Sequence, residues 1–380
     1  MNIISKYALL VLLIANLLSQ SVVLSWLSDF LFYGILGVSV LNLPLGIKRI
    51  SIRNIKATSF LWFFVGVLFV YQITLGLHYI EWESISYLSA KVMVSIIIFW
   101  AITSNYEFYL KKMIPFLSIV IAVMIVLGYI FWNESFGGRS TCGFGNFNST
   151  GSISLIGTIG FLFFRLKPSF LRYAGFVVCL FGLIISGSRT AIGVCIIALF
   201  LKFRFSVKSL ILIGACAIAA SYLLPSLGFE TSGIERVSKV IEEGDFVSSR
   251  GDVREATELM ISQRPIQGWG LNTVVQGEAR KISPMGSHNG YLDMARFIGI
   301  PFSIVLLIGT LVILFKIRSV VKSQNNRVMG LCAIVICTFA AAFYEAYIIG
   351  VNHILTNLMF LSVAMLQYHC YYQLEEENGE

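Results

Sequence analysis

The sequence predicts an all-α polytopic membrane protein, with about twelve transmembrane helices and one large external loop. Three observations predict it. Hydrophobic residues make up 57% of the 380 and charged residues only 13%, so most of the chain must lie in lipid, where only internally hydrogen-bonded helices or closed barrels survive. The apolar runs, many of about seventeen residues or more, are continuous rather than alternating, which selects helices over barrel strands. Finally, Gly228 to Asn289 is mostly polar and interrupts otherwise nearly continuous apolar segments. A transporter or channel core does not need such an insert, whereas an enzyme working on a lipid-linked substrate at the membrane surface does.

The first element, Tyr7 to Leu18 behind Lys6, imitates a signal peptide. No small-x-small cleavage site follows it, so it reads as a retained first helix. Pairing apolar runs with flanking charges gives spans at 7–24, 28–45, 58–77, 85–103, 113–131, 151–164, 173–185, 190–201, 209–227, 290–315, 328–348 and 353–372. The chain thus divides into residues 1–227 with helices one to nine, the external loop 228–289 with part of the site, residues 290–372 with helices ten to twelve, and a cytoplasmic tail at 373–380. A cytoplasmic N-terminus puts Lys48, Arg53, Lys111, Arg165, Lys202, Lys316, Arg327 and their basic neighbours in inside loops, and leaves only Arg139 and Arg189 in the short outside ones. This is the positive-inside pattern. It accounts for the net charge of +8 as a topology device, with no nucleic-acid partner. The long loop is then external, and Trp26, Trp82 and Trp132 fall near the same boundary as interfacial aromatics.

Other chemistries find little support. Of seven cysteines only Cys142 faces outside, so no intramolecular disulfide framework is available. His78, His288, His353 and His369 share no metal-ligand spacing, and neither a metal nor another cofactor is expected. The chain has no glycine-rich phosphate loop and no internal repeat, which weakens the transporter class.

Three outside elements are candidates for one site. The first is the glycine-rich stretch from Gly138 through Arg139 to Asn146 and Asn148. Its glycines let backbone N–H groups approach a ligand, while its Asn side chains either bind sugar hydroxyls or cap the following helix. The second is Ser186-Gly187-Ser188-Arg189-Thr190. Here the arginine either snorkels to lipid headgroups or offers a permanent bidentate cation to a diphosphate. The third is the long loop. A helix start near Ser249 to Asp252 would tie Arg254 to Glu258 as an i,i+4 pair and leave Arg250 freer to meet a ligand. Arg236, Lys239, Arg280 and Lys281 belong to a solvated face, because nine acidic residues between Glu230 and Glu278 outnumber the loop's seven basic ones. His288 closes the loop, and imidazole is the side chain whose ordinary titration range best suits a base near neutral pH. Of the charges inside apolar runs, Lys91 and Glu345 read as an ion pair, and Asp293 and Arg296 as lining of a cavity.

Four elements occur in order: Arg139 with Asn146 and Asn148; Ser188-Arg189-Thr190-Ala191; Gln263-Arg264-Pro265-Ile266-Gln267-Gly268-Trp269-Gly270; and Ser287-His288-Asn289-Gly290-Tyr291-Leu292. Together with the topology and the large loop, this set resembles the O-antigen polymerase and ligase superfamily. The resemblance implies a metal-independent, GT-C-like glycosyltransferase in the bacterial inner membrane, its active site facing the periplasm. Donor and acceptor would be undecaprenyl-diphosphate-linked glycans, with membrane lipids around them and a chain-length regulator and a flippase as associated partners. It also implies that Arg189 and a loop arginine, Arg250 or Arg254, hold the donor diphosphate with Arg139, and that His288 is the base. Asn146, Asn148, Arg264, Asn289 and Tyr291 then stand as glycan-facing or supporting positions. The Ser-Arg-Thr-Ala and Ser-His-Asn-Gly-Tyr-Leu runs look closer to the polymerase branch. A ligase, transferring the glycan to lipid A-core, is the alternative, and a lipid-linked oligosaccharide flippase is the alternative from another class.

Overall fold

The computed structural model describes residues 3–43, 50–76, 82–136, 139–204, 206, 251–271, 287–318, 325–346 and 348–378. Its helices are α1 (Ile3–Leu18), α2 (Ser25–Leu41), α3 (Ile52–Ala57), α4 (Ser59–Thr74), α5 (Trp82–Phe108), α6 (Ile114–Phe131), α7 (Phe147–Phe163), α8 (Ser169–Ile185), α9 (Arg189–Phe203), α10 (Gly251–Gln263), α11 (Gly290–Lys316), α12 (Asn326–Ala341) and α13 (Ile354–Asn378). The strands β1 (Ser135–Phe136) and β2 (Arg139–Ser140) pair as a small antiparallel hairpin. The expected span at 209–227 and much of the external loop, including Arg250, lie outside the described residues.

Among the described residues, Trp82–Phe131 and Gly290–Lys316 are long and apolar enough to cross a membrane, and shorter apolar helices accompany them. The outer surface is apolar as well: Trp26, Phe30, Tyr33, Phe170, Leu311 and Phe315 are all exposed. In water such a belt would drive aggregation; against acyl chains it is matched. The interior is packed through glycine at close crossings, as in α7, where a Cβ on Gly160 would fall 1.8 Å from Ser118 Oγ of α6.

Three departures from the hydropathy reading matter for the site. The runs at 85–103 and 113–131 are joined by helical winding rather than by a loop: α5 breaks at Asn105 (φ −147°, ψ 38°) and passes through a π-helical turn, Tyr109–Met113, into α6. Helix α11 is interrupted at Gly299 (φ 74°, ψ 165°) ahead of Pro301, which removes backbone bonds that an unbroken helix would keep. Third, α12 stops at Ala341, twelve residues short of α13, and the connection is not helical. The expected Lys91–Glu345 ion pair does not form: the connection turns Glu345 toward His288, while Lys91 Nζ donates to Gly350 O at 3.1 Å and sits 3.9 Å from the Phe360 ring centroid. Asp293 and Arg296 pair with each other at 2.9 Å, both buried.

Candidate functional site

The Ser-Arg element is a tight turn. Helix α8 ends at Ile185, Gly187 takes φ 59°, and Ser188 caps α9 by accepting from Ala191 N–H. Arg189 is therefore the first residue of α9. A cation there is opposed by the partial positive charge of the helix terminus, whereas an anion is favoured by both.

Arg139 reaches over this turn from β2. Its Nε donates to Ser186 O at 2.9 Å, Nη2 donates to Asn148 Oδ1 at 3.2 Å, and Cζ lies 4.4 Å from the Phe147 ring centroid. A Cβ on Gly187 would come within 2.9 Å of Arg139 Cγ, and one on Gly151 of α7 within 2.6 Å of Ser188 Cβ. Glycine at both positions is what lets the hairpin, α7 and α9 meet. Asn146 caps α7, accepting from Ser149 N–H at 2.8 Å. Cys142 is buried beside this element, and burial pushes its thiol up to about 11.

His288 sits at the entry to α11 with φ 53°, an uncommon conformation for a residue with a Cβ. Its neighbours hold it there. Ser287 N–H donates to Asp293 Oδ1 at 3.3 Å, Ser287 Oγ donates to Asn289 O at 2.7 Å, and Asn289 Oδ1 caps the helix by accepting from Tyr291 and Leu292 N–H. Gly290 N–H donates to Ala342 O at 2.7 Å, and Tyr291 Oη donates to Phe339 O at 2.9 Å. Gly290 and Tyr291 thus dock α11 onto α12 and its end, leaving the imidazole 40% exposed with Nδ1 3.8 Å from Glu345 Oε2.

Helices α9 and α12 bring these two elements to one end of the bundle. Lys202, near the end of α9, donates to Asn326, at the start of α12 (3.2 Å), and Cys337 Sγ lies 3.6 Å from Val194 O. The two helices are therefore antiparallel. Arg189 precedes Val194 by five residues and Ala342 follows Cys337 by five, so each lies about 7.5 Å beyond that contact, in the same direction. Arg139, Arg189 and the His288 turn consequently share one face of the molecule.

The Gln263–Gly270 element is a strap. Ile300 N–H donates to Pro265 O, Trp269 N–H to Arg296 O and Gly270 N–H to Phe297 O, at 2.8, 2.8 and 3.0 Å. Tyr71 Oη contacts both Gln267 O and Phe297 O. Arg264 stacks on Trp269, 4.0 Å from its ring centroid, and Trp269 Nε1 donates to Met260 O. This anchors α10 to the break in α11. Arg254 pairs with Glu258 at 2.7 Å on an exposed face; Arg250, the other loop candidate, is not among the described residues. Glu345 was not singled out for the site by the sequence reading, although Glu345, Gly350 and Asn352 interrupt the apolar run that would otherwise join α12 to α13. Among the described residues, no three His, Cys, Asp or Glu side chains are grouped to hold a metal ion.

Residues 174–307, from α8 into α11, match the family model described as O-antigen ligase. No curated protein matches the chain.

Proposed function

We propose, from the match of residues 174–307 to the O-antigen ligase family model, that the chain is a membrane glycosyltransferase that polymerises undecaprenyl-diphosphate-linked repeat units. The observation that carries the reading is the gathering of Arg139, Arg189 and His288 at one end of the helical bundle, the last two within the family segment. An acceptor hydroxyl attacks the anomeric carbon of the donor glycan. The carbon–oxygen bond to the diphosphate breaks with its electron pair leaving on the diphosphate oxygen, and the hydroxyl proton passes to His288. Negative charge develops on the leaving diphosphate, so guanidiniums fixed beforehand stabilise the transition state more than the bound donor.

In this mechanism Arg189 is the principal donor cation, because it stands where the terminus of α9 adds to its charge. Arg139 is a clasp of the turn that aims Arg189, through its bonds to Ser186 O and Asn148 Oδ1. Arg250 and Arg254 are the proposed loop contributions, the latter after exchanging Glu258 for substrate. Asn148, Asn289 and Tyr291 support the site through the contacts above, while Asn146 is exposed at the head of α7, where a glycan hydroxyl has access.

The family description itself favours a second reading, transfer of the glycan to lipid A-core by an O-antigen ligase. The two differ in acceptor, not in bond chemistry. Protein reconstituted in vesicles with lipid-linked repeat units separates them: a ladder of lengthening chains supports the polymerase. Transfer only when lipid A-core is supplied supports the ligase, and translocation without bond formation rejects both.

A further inference from the structure

A carboxylate stands behind the proposed base. Glu345 Oε2 is 3.8 Å from His288 Nδ1, and its side chain is only 11% exposed. The segment that carries it, between α12 and α13, is tied down at both ends. Ala342 O accepts from Gly290 N–H at 2.7 Å, Ile349 O from Tyr87 Oη at 2.5 Å and Gly350 O from Lys91 Nζ at 3.1 Å. Val351 O accepts from Asn357 Nδ2 at 2.7 Å, and Asn352 Oδ1 from Asn16 Nδ2 at 2.5 Å. Asn357 also donates to Asn16, so the far end of the segment hangs on two buried asparagines, one on α1 and one on α13. A non-helical stretch tied at its ends from α1, α5, α11 and α13 is a costly way to connect two helices, because its buried carbonyls must find partners outside a helix. What it delivers to the outer face is Glu345. His353, buried on the same segment, is also close enough to feel this carboxylate.

We propose that Glu345 is the positioning residue for His288: it selects the tautomer with the proton on Nδ1, turns that edge toward itself, and leaves the Nε2 lone pair for the acceptor hydroxyl. This rests on reading His288 as the base. A separation of 3.8 Å is longer than a hydrogen bond, and a modest rotation of the half-exposed imidazole closes it, as happens when substrate tightens such contacts in an active site. As the hydroxyl proton moves to Nε2 the ring becomes a cation, and the adjacent carboxylate stabilises that charge at the moment it appears. The contribution belongs to the transition state and not to donor binding.

The experiment compares Glu345→Gln and Glu345→Asp with wild type, in full-length protein reconstituted with lipid-linked repeat units, at matched amounts of monodisperse protein. Glu345→Gln should lower kcat on the order of ten- to a hundred-fold with the donor KM within roughly two-fold of wild type. Glu345→Asp, which keeps the charge one methylene further back, should recover much of the rate. Wild-type kcat in Glu345→Gln, an equally slow Glu345→Asp, or a loss confined to KM overturns the proposal. Should Glu345→Gln not yield folded protein, Glu345→Asp carries the test alone: lowered kcat at unchanged KM supports it, and wild-type kcat overturns it. His288→Asn in the same assay tells the two levels apart. An active His288→Asn removes the base itself, whereas an inactive one beside a fully active Glu345→Gln removes only the positioning role.

Discussion

Replacing Gly299 by alanine tests whether the strap is what anchors the external loop. Gly299 sits at φ 74°, ψ 165°, a region that residues with a Cβ enter at about 1–3 kcal/mol. Its ideal Cβ would lie 2.0 Å from Ile266 O and 2.6 Å from Ile266 C. Both are backbone atoms, so no side chain can swing aside. Restoring ordinary contact requires the strap to retreat by about 1.5 Å, which stretches the bonds from Ile300 to Pro265, Trp269 to Arg296 and Gly270 to Phe297 beyond hydrogen-bonding range. At about 1 kcal/mol for each lost bond, the total with backbone strain is about 4–6 kcal/mol. Gly34→Ala is the control: it lies on α2 with nothing within 4 Å of its Cβ, and helix propensity alone makes that change stabilising by up to about 1 kcal/mol. The assays are heat-induced unfolding of detergent-purified protein and trypsin cleavage at Arg254 in spheroplasts. Gly299→Ala should unfold at lower temperature, be cut faster at Arg254 and lose transfer activity, while Gly34→Ala should match wild type or exceed it. Equal stability and equal protection in the two variants would refute the reasoning.

Further outcomes follow from the topology and the site. A cysteine introduced at the exposed Leu259 of α10 should react with an impermeant maleimide added outside, because the loop is on the outer face by the positive-inside pattern; Cys142 adds little background, being buried with its thiol pushed up to about 11. Labelling only from the cytoplasmic side would invert the topology. Arg189→Lys should lower kcat/KM for the lipid-linked donor about ten- to a hundred-fold, the worth of one charge-assisted hydrogen bond, while Arg318→Lys on the exposed end of α11 should be silent; equal kinetics of the two would take Arg189 out of the donor site. His288→Asn is preferred to alanine because asparagine tolerates the left-handed backbone. It should leave folded protein unchanged and lower transfer by about 10²–10⁴-fold, the range of general base catalysis, and retained transfer at normal abundance would leave diphosphate positioning as the surviving mechanism.

The helical class was legible because continuous apolar runs leave no other way to satisfy backbone groups in lipid. Hydropathy, however, averages over a window, and the informative breaks are shorter than the window. Gly299-Ile300-Pro301 carries a clear signal for an interruption, yet the apolar residues around it, Phe297 and Ile298 before and Ile304 to Ile308 after, conceal it. The same averaging hid the connection at 342–353, where the expected spans 328–348 and 353–372 nearly touch. The opposite error occurred at Asn105 to Met113: Glu107, Lys111 and Lys112 read as a loop, but Glu107 and Lys111 form an i,i+4 ion pair that helical winding provides. Pairings across the fold, such as Arg139 with Ser186 or Tyr71 with Gln267, have no local trace, since each partner alone is an ordinary residue of its own segment.

The candidate site stands out for a different reason. Arg189 puts a cation where a helix terminus is already positive, His288 adopts a backbone conformation that most side chains avoid, and Glu345 keeps a carboxylate nearly out of water on a segment that needs several other helices to hold it. Each of these choices is locally unfavourable by about 1 kcal/mol or more. Scattered through the fold they would be unrelated defects. They are instead collected on one face, where helix α12 joins the arginine turn to the histidine turn. In the proposed mechanism the donor diphosphate meets Arg189 at the head of α9, and the acceptor proton meets His288 beside Glu345. The two are the charges that glycosyl transfer from a diphosphate would generate in one step, so groups set in these places would act chiefly in the transition state.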